Sequence, residues 1–192
     1  MEKHDKYPIL EFKNSAAFEK WISKNFEIAE GVWLKLAKAN KGFTTITYAE
    51  AVDVALCYGW IDGMAKRLDD VYYLQKFTPR RARSIWSEIN KKKVAALIRS
   101  KRMHESGLAA VTEAKRNGRW STAYGSPKTI KVPKDFREAL KKSPKALAFF
   151  KTLNSTNRFA MLFRLSQLKR EETKQKRIAE YVKMLEEGKK IL

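Results

Sequence analysis

The side chains best suited to chemistry in this sequence lie between residues 59 and 87. An arginine guanidinium grips phosphate or carboxylate through two parallel hydrogen bonds, and it also stacks on aromatic rings. Pro79 ends the strand pattern that precedes the arginines, so they leave the sheet in a turn that can face a cleft. We therefore predict an anion-binding cleft formed by two tryptophans, a carboxylate, three arginines and a hydroxyl: Trp60, Asp62, Arg80, Arg81, Arg83, Trp86 and Ser87.

The same residues allow two other interpretations. The arginines could pair with nearby carboxylates as scaffold ion pairs, the available partners being Asp62, Asp69, Asp70 and Glu88. If Asp62 lay inside a pocket, it could act as a base beside an arginine clamp, in an enzyme for a small anionic metabolite. The sequence leaves these alternatives open.

Other catalytic templates are missing. The sequence has no GxxxxGK[ST], GxGxxG, HExxH or GxSxG motif, so phosphate-loop, dinucleotide, metalloprotease and hydrolase chemistry lack support. One cysteine and two histidines cannot build a closed structural zinc site. We expect no metal and no cofactor, and we favour a non-enzymatic binding protein. Cys57 lies beside Leu56 on an amphipathic pattern, which indicates a buried structural thiol.

The positive charge is concentrated in the last two thirds of the chain. The 192 residues carry a formal net charge of +20. Residues 1–62 have net −1, residues 63–132 have +12 with 17 basic side chains, and residues 133–192 have +9. Such a field attracts anions. The expected partner is an anionic small molecule or an acidic surface, and non-specific nucleic-acid binding by the basic surface is an alternative function.

Targeting signals are not evident. The apolar part of residues 1–10 is too short for a signal peptide, and no stretch approaches the 18 apolar residues of a membrane span. We therefore expect a cytoplasmic protein with no transmembrane segment.

The elements that must position the arginines form a small sheet. Asn14 caps a predicted helix over residues 15–27, and Thr47 with Glu50 forms a capping box before a second helix. Residues 32–36 alternate as a strand, and residues 60–67 and 71–77 read as a hairpin. These patterns predict an antiparallel sheet of about three strands with helices packed on it.

The remainder is predicted to be helical. Patterns indicate helices near residues 90–100 and up to Gly118, and Pro133, Ser143-Pro144 and Asn154 or Ser155 mark later helix starts. The fold class is therefore α+β and helix-rich, with an all-helical C-terminal part. We predict an α+β domain over residues 1–120, a connection over 121–132 and a helical module over 133–192.

Several motifs resemble those of a known bacterial family. The N-terminal motifs are residues 57–63 (CYGWIDG), residues 77–81 (FTPRR) and the pattern SxWSxxN over residues 84–90. The C-terminal motifs are LxSxxR over 153–158, KRxETxxxRI over 169–178 and LxxGK over 185–189. Together they resemble the YdeI/OmpD-associated (OmdA) family over about residues 30–190. At residues 154–157 this chain has NSTN, where the family often has a proline before the serine and a histidine before the arginine.

The resemblance implies association with an outer-membrane porin, hence a possible envelope protein partner, and protection against bacteriocins or cationic antimicrobial peptides. A chain of net charge +20 repels cationic peptides, so direct sequestration of such peptides is disfavoured. We therefore expect an indirect role in envelope stress or peptide resistance, exerted through an anionic ligand.

Overall fold

A computed structural model describes residues 6–39 and 42–192 of the chain. They form four strands, β1 (Ile9–Leu10), β2 (Val32–Ala37), β3 (Trp60–Arg67) and β4 (Tyr72–Pro79). They also form eight helices: α1 (Ser15–Asn25), α2 (Tyr48–Cys57), α3 (Glu88–Arg99), α4 (Glu105–Arg116), α5 (Lys134–Lys142), α6 (Pro144–Thr152), α7 (Ser155–Ser166) and α8 (Glu171–Glu186). The predicted class, helix-rich α+β with a helical C-terminal part, is confirmed.

The chain divides into two compact units. The first contains the described residues up to Trp86 together with Asn90–Thr122, and the second contains Ser87–Ile89 and Ala123–Leu192. The sequence-based division into an α+β domain over residues 1–120, a connection over 121–132 and a helical module over 133–192 stays a prediction.

The sheet differs from expectation by one strand. Its order is β1-β2-β4-β3, with β2, β4 and β3 antiparallel as predicted. The fourth strand, β1, pairs in parallel with β2, so the sheet is mixed. A strand of two residues is too short to show an alternating pattern, which is why the sequence did not reveal it.

The two faces of the sheet differ in what covers them. Helices α1 and α2 pack on the face that carries Leu34 and Phe77, where the Phe18 ring lies 6.0 Å from the Phe77 ring. Along β2, the alternate residues Trp33 and Lys35 point to the opposite face, which is capped by lysine side chains over aromatic rings.

The predicted capping interactions are present in both units. Thr47 and Glu50 form the capping box of α2, with the backbone N–H of Thr47 donating to the Glu50 carboxylate at 2.9 Å. Asn14 caps α1, Asn154 caps α7 and Ser143 caps α6, with Pro144 at its first position. Two predicted starts need small corrections. Helix α3 begins at Glu88 and not near residue 90, and Pro133 is the N-cap of α5 and not its first residue.

The second unit is a helical cluster with its own core. Helices α5 to α8 contribute the buried side chains of Phe136, Leu140, Ala146, Phe150, Met161, Leu162, Leu165, Ile178, Tyr181 and Leu185. Lys174 of α8 is paired with Asp135 of α5 at 2.5 Å. The side chain of Asn157 accepts the backbone N–H of Leu192 at 3.1 Å, so the C-terminal residue is held against α7. One shared apolar core, an ion pair and a hydrogen bond therefore hold this unit together.

Candidate functional site

A tight turn carries the arginines from the end of β4 toward α3. The backbone N–H of Arg80 donates to the carbonyl of Gly59 at 2.9 Å, which fixes the start of the turn beside the loop between α2 and β3. Inside the turn, Ser84 Oγ accepts the backbone N–H of Arg81 at 2.9 Å, and the N–H of Ser84 donates to the Arg81 carbonyl at 2.8 Å. The turn is thus closed by its own hydrogen bonds, as the position of Pro79 predicted.

Arg80 stacks on Trp86 across this turn. Its guanidinium carbon lies 3.5 Å from the centre of the Trp86 ring, and Nη1 donates to the carbonyl of Ile85 at 3.2 Å. Trp86 is 3% exposed and meets the edge of Trp120 at a ring-centre distance of 4.9 Å. The stack on Trp86 and the hydrogen bond to Ile85 therefore fix the orientation of the guanidinium, which a solvent-exposed arginine would not have.

A small pocket lies between this turn and one face of α4. Its volume is about 90 Å³. This exceeds the roughly 30 Å³ that one water occupies in the liquid, but it is well below the ~300 Å³ of pockets that enclose whole metabolites. The pocket therefore has room for one oxyanion group. It is lined by Arg80, Arg81, Ala82, Ser84 and Trp86 from the turn and by Ala110, Glu113, Ala114 and Asn117 from α4 and its end.

The electrostatics of the pocket favour an anion. The carboxylate of Glu113 is held by Arg116 through two hydrogen bonds of 2.8 and 2.9 Å. The hydrogen bonds from Arg116 hold the pKa of Glu113 below its ordinary value, so this carboxylate is ionised and already neutralised at pH 7. Arg81, for which the described residues supply no ion-pair partner, therefore adds positive charge to the lining.

The opposite wall is tied to the turn by an amide. Asn117 Nδ2 donates to the carbonyl of Ala82 at 2.9 Å, which joins the end of α4 to the arginine turn. Beyond the pocket, the ammonium groups of Lys91 and Lys115 lie 5.6 and 5.8 Å from the centre of the Trp120 ring. Each of the two tryptophan rings therefore has at least one cationic side chain within 6 Å of its centre.

Only part of the predicted residue set is brought together here. Arg80, Arg81 and Trp86 line the pocket, whereas Arg83 is exposed and is not among the lining residues. Trp60 is 1% exposed in the core, where it meets Trp21 edge-on and donates to the carbonyl of Phe26 at 3.3 Å.

The two remaining predicted residues lie elsewhere. Asp62 is not in the pocket lining, and its carboxylate accepts a hydrogen bond from the Tyr48 hydroxyl at 2.7 Å. Ser87 belongs to the second unit, where it forms a β-bridge with Tyr124.

Three of the four carboxylates considered as scaffold partners, Asp62, Asp69 and Asp70, have other contacts, and a pairing of an arginine with Glu88 stays a prediction. Asp70 pairs with Arg67, and Asp69 accepts the backbone N–H groups of Val71 and Tyr72 at 2.7 and 2.6 Å. Among the described residues, no carboxylate forms an ion pair with Arg81. The positive charge of Arg81 is therefore not offset by a local partner.

Sequence reasoning missed the contributions of α4 and Trp120. Ala110, Glu113, Ala114 and Asn117 are spaced i, i+3, i+4 and i+7, so they share one face of a helix. The two alanines on that face let the turn approach α4 closely. Their spacing was the one feature of the sequence that could have indicated this contact. The approach of α4 to the turn is a long-range contact that local patterns do not report.

Within residues 6–39 and 42–192, no three histidine, cysteine or carboxylate side chains are grouped so that they could hold a metal ion. In the same part of the chain, no helix combines the length and apolarity that crossing a membrane requires.

Two family models match this chain, and they divide it in the same order as the two units. Residues 10–110, more than half of the chain, match a domain of unknown function (DUF8412), and residues 129–188 match OmdA, "Bacteriocin-protection, YdeI or OmpD-Associated". No curated protein and no solved structure matches the chain. The fold and pocket define a two-unit protein with an arginine–tryptophan site in its α+β unit. The chain belongs to the DUF8412 family, and its residues 129–188 match the YdeI or OmpD-associated family that its motifs resemble.

The two family models assign the N-terminal and the C-terminal motifs of the chain to different families. The C-terminal motifs over residues 153–188 lie in the OmdA match, whereas the CYGWIDG and FTPRR motifs lie in the DUF8412 match. The pocket residues at 80–86 and 110 are likewise within the region of unknown function.

Proposed function

We propose that the protein is a binding protein that takes an oxyanion, such as a phosphate group or a terminal carboxylate, into the pocket between the arginine turn and α4. The observation that carries this proposal is the stack of Arg80 on Trp86 at 3.5 Å, at the wall of a pocket of about 90 Å³. A stacked guanidinium is pre-oriented, so little side-chain entropy is lost when it binds a planar or tetrahedral anion.

Arg81 and Ser84 complete the proposed recognition. Arg81 supplies a second cation on the pocket wall, and the hydroxyl of Ser84 lies in the same lining. Hydrogen bonds from charged donors contribute about 1.5–3 kcal/mol each, which is enough to hold one oxyanion group. Because the pocket admits only that group, the rest of a larger ligand would remain outside it.

Binding fits the lining better than catalysis does. The titratable lining residues are Arg80, Arg81 and Glu113, and Glu113 is clamped by Arg116 with its pKa lowered by that contact. A general acid or base works best with a pKa near the operating pH, which neither an arginine nor this carboxylate offers. We therefore infer a non-enzymatic role.

The description of the family that residues 129–188 match suggests in which process the anion-binding protein would act. Its words name bacteriocin protection, and this chain carries a net charge of +20. Direct capture of cationic peptides is electrostatically unfavourable, so the proposed contribution to peptide resistance runs through an anionic ligand.

The decisive experiment compares two arginines of the same turn. We would measure the binding of inorganic phosphate and citrate by calorimetry and thermal shift, with Arg81→Gln as the test variant and Arg83→Gln as its control. Both changes remove one positive charge from the same turn, but only Arg81 lines the pocket. We expect Arg81→Gln to weaken binding by about ten-fold or more, as loss of a charged hydrogen bond implies. Arg83→Gln should change affinity by no more than about two-fold, as loss of a screened distant charge implies.

Two outcomes would count against the pocket. Equal losses in the two variants would mean that anions respond to the general field of the turn. The absence of any saturable phosphate or citrate binding to the native protein, at low and at physiological salt, would remove the proposed function altogether.

A further inference from the structure

The second unit contains a groove that the proposed function does not use. It lies between α6 and the end of α8, and its volume is about 460 Å³. Pockets that hold small organic molecules have volumes of roughly 300–1,000 Å³, so this groove is large enough for one. The α6–α8 groove is lined by Lys145, Ala148, Phe149 and Thr152 of α6 and by residues 185–188 at the end of α8.

The apolar part of this lining includes an aromatic ring. Leu185 is fully buried in the core of the unit, and Phe149 packs against that core while it remains half-buried. Gly188 has no side chain, and a Cβ atom there would lie 3.9 Å from Phe149 Cε2. Ala148 contributes only a methyl group. Small residues on both walls therefore leave room for a ligand beside the Phe149 ring.

Glu187, one of two carboxylates in the lining, is already neutralised. It is paired with Lys189 at 2.7 Å. The hydrogen bond from Lys189 and, more weakly, the charges of Lys183 and Lys145 hold the pKa of Glu187 below its ordinary value. Glu187 is therefore ionised at pH 7 and has cations of this chain around it.

Glu186, the other carboxylate, has no such partner. It is half-buried, and one of its oxygens accepts the hydroxyl of Ser143 at 2.6 Å. Within residues 6–39 and 42–192, no lysine or arginine forms an ion pair with Glu186. A half-buried charge is costly without a counter-charge, so a cation in the groove would stabilise Glu186.

The position of Lys145 does not make the groove an anion site. Lys145 is exposed in the first turn of α6, so water screens its ammonium group. Glu186, in contrast, is half-buried and is oriented by the hydrogen bond from Ser143. The charge that is fixed in the lining and lacks an ion-pair partner is therefore negative.

We propose that the α6–α8 groove binds an organic cation, an ammonium group carried on an apolar body about the size of a phenyl ring. The ammonium group would pair with Glu186, and the apolar body would contact Phe149 and Leu185. A carboxylate beside an aromatic ring suits an ammonium ligand, because both attract the cation. An aryl carboxylate fits less well, because its head group would meet the carboxylate of Glu186.

The net charge of the chain does not oppose such a ligand strongly. At physiological salt, charges more than about 8 Å away are largely screened, so a monovalent cation responds mainly to the groups that line the groove. The α6–α8 groove shares no residue with the arginine–tryptophan pocket. The proposal therefore stands or falls separately from the proposed function.

The test uses three probes that share a phenyl body and differ in their head group: phenethylamine, phenethyl alcohol and hydrocinnamate. Binding to the full chain would be measured by calorimetry, and proton–nitrogen correlation NMR spectra would locate the probe through the backbone N–H groups of Ala148 and Gly188. We expect phenethylamine to bind at least about ten-fold more tightly than the alcohol, as a hydrogen bond from a charged donor implies. Hydrocinnamate should bind most weakly.

Glu186→Gln is the test variant, and Glu172→Gln is its control. Glutamine keeps an oxygen that can accept the Ser143 hydroxyl, but it removes the charge. Glu172 is exposed in the first turn of α8 and is outside the groove. Glu186→Gln should lower the affinity for phenethylamine by about ten-fold, to that of the alcohol, whereas Glu172→Gln should change it by no more than about two-fold. Circular dichroism and thermal unfolding would establish that both variants fold.

A second pair of variants examines the space in the groove without altering charge. Ala148→Leu fills the groove and should abolish saturable binding of phenethylamine, whereas Ala179→Leu, at an exposed alanine of α8 outside the lining, should not. Equal affinities for the amine and the alcohol, a preference for hydrocinnamate, or equal effects of the two glutamate variants would overturn the proposal. So would the absence of saturable phenethylamine binding, or NMR shifts that exclude the groove.

Discussion

Gly107 of α4 lies directly against the backbone carbonyl of Cys57 at the end of α2. A Cβ atom at position 107 would come within 2.1 Å of the Cys57 carbonyl oxygen, so the two helices meet backbone to backbone. The contact is reinforced nearby, where the N–H of His104 donates to the same carbonyl at 3.1 Å and Ser106 Oγ donates to the Tyr58 carbonyl at 3.1 Å. This close approach sets where α4 lies, and α4 supplies one wall of the anion pocket.

Gly107→Ala should therefore destabilise the protein, although alanine is the better helix former by about 1 kcal/mol. The clash with a backbone atom can be relieved only if α4 shifts, and overpacking of this kind costs about 1–3 kcal/mol. We expect a net loss of about 2 kcal/mol in the free energy of unfolding, measured by urea denaturation, together with weaker phosphate binding.

Gly118→Ala is the comparison for this variant. Gly118 has φ of +76°, but a Cβ there would meet nothing within 4 Å. Its cost should be only the left-handed backbone penalty of about 1–2 kcal/mol, with phosphate binding retained. A Gly107→Ala protein with native stability and native phosphate affinity would contradict the close approach.

Cys57 should make the protein less stable in alkaline solution. Burial raises the pKa of its thiol from the ordinary 9.0 to about 11. Below pH 9 the thiol is protonated in both states. Between pH 9 and pH 11 the unfolded chain releases the proton while the folded chain keeps it, so the free energy of unfolding falls by about 2–3 kcal/mol.

The matching measurement is the unfolding free energy of the native protein and of Cys57→Ala across this pH range. Other groups titrate in both proteins, so the contribution of the thiol is the difference between the two curves. The gap between them should change steadily from pH 9 to pH 11 and be constant below pH 9. Curves that stay parallel throughout would show that the thiol is accessible to water.

Arg80→Lys should separate the charge of Arg80 from its shape. Lysine keeps the positive charge but lacks the planar guanidinium that stacks on Trp86 and donates to Ile85. We expect phosphate affinity to fall by about ten-fold and the free energy of unfolding to fall by about 1 kcal/mol, as loss of a stacked cation implies. Full phosphate affinity in Arg80→Lys would mean that charge alone determines binding.

Local features of this fold were readable from the sequence. The caps of α1, α2, α6 and α7 depend on side chains within three residues of the helix start, so Asn14, Thr47 and Ser143 were identified correctly. For α7 the sequence left Asn154 and Ser155 as alternatives, and Asn154 is the cap. The β3–β4 hairpin likewise joins neighbouring segments that are rich in aromatic and β-branched residues. The strand β1 was missed because its two residues have meaning only beside Trp33 and Leu34.

The residues of the pocket, in contrast, could not be selected from local sequence patterns. Trp60 and Trp86 lie in one motif-rich segment and are equally suitable by type, yet Trp60 packs in the core against Trp21 while Trp86 lines the pocket under Arg80. The helix starts, the hairpin and the cluster of arginines after Pro79 could be read from the sequence, because they depend on residues a few positions apart, and the uneven charge follows from composition alone. Which arginines face a pocket depends on long-range packing, because the second wall comes from α4, some thirty residues further along the chain, and is placed by the contact of Gly107 with Cys57.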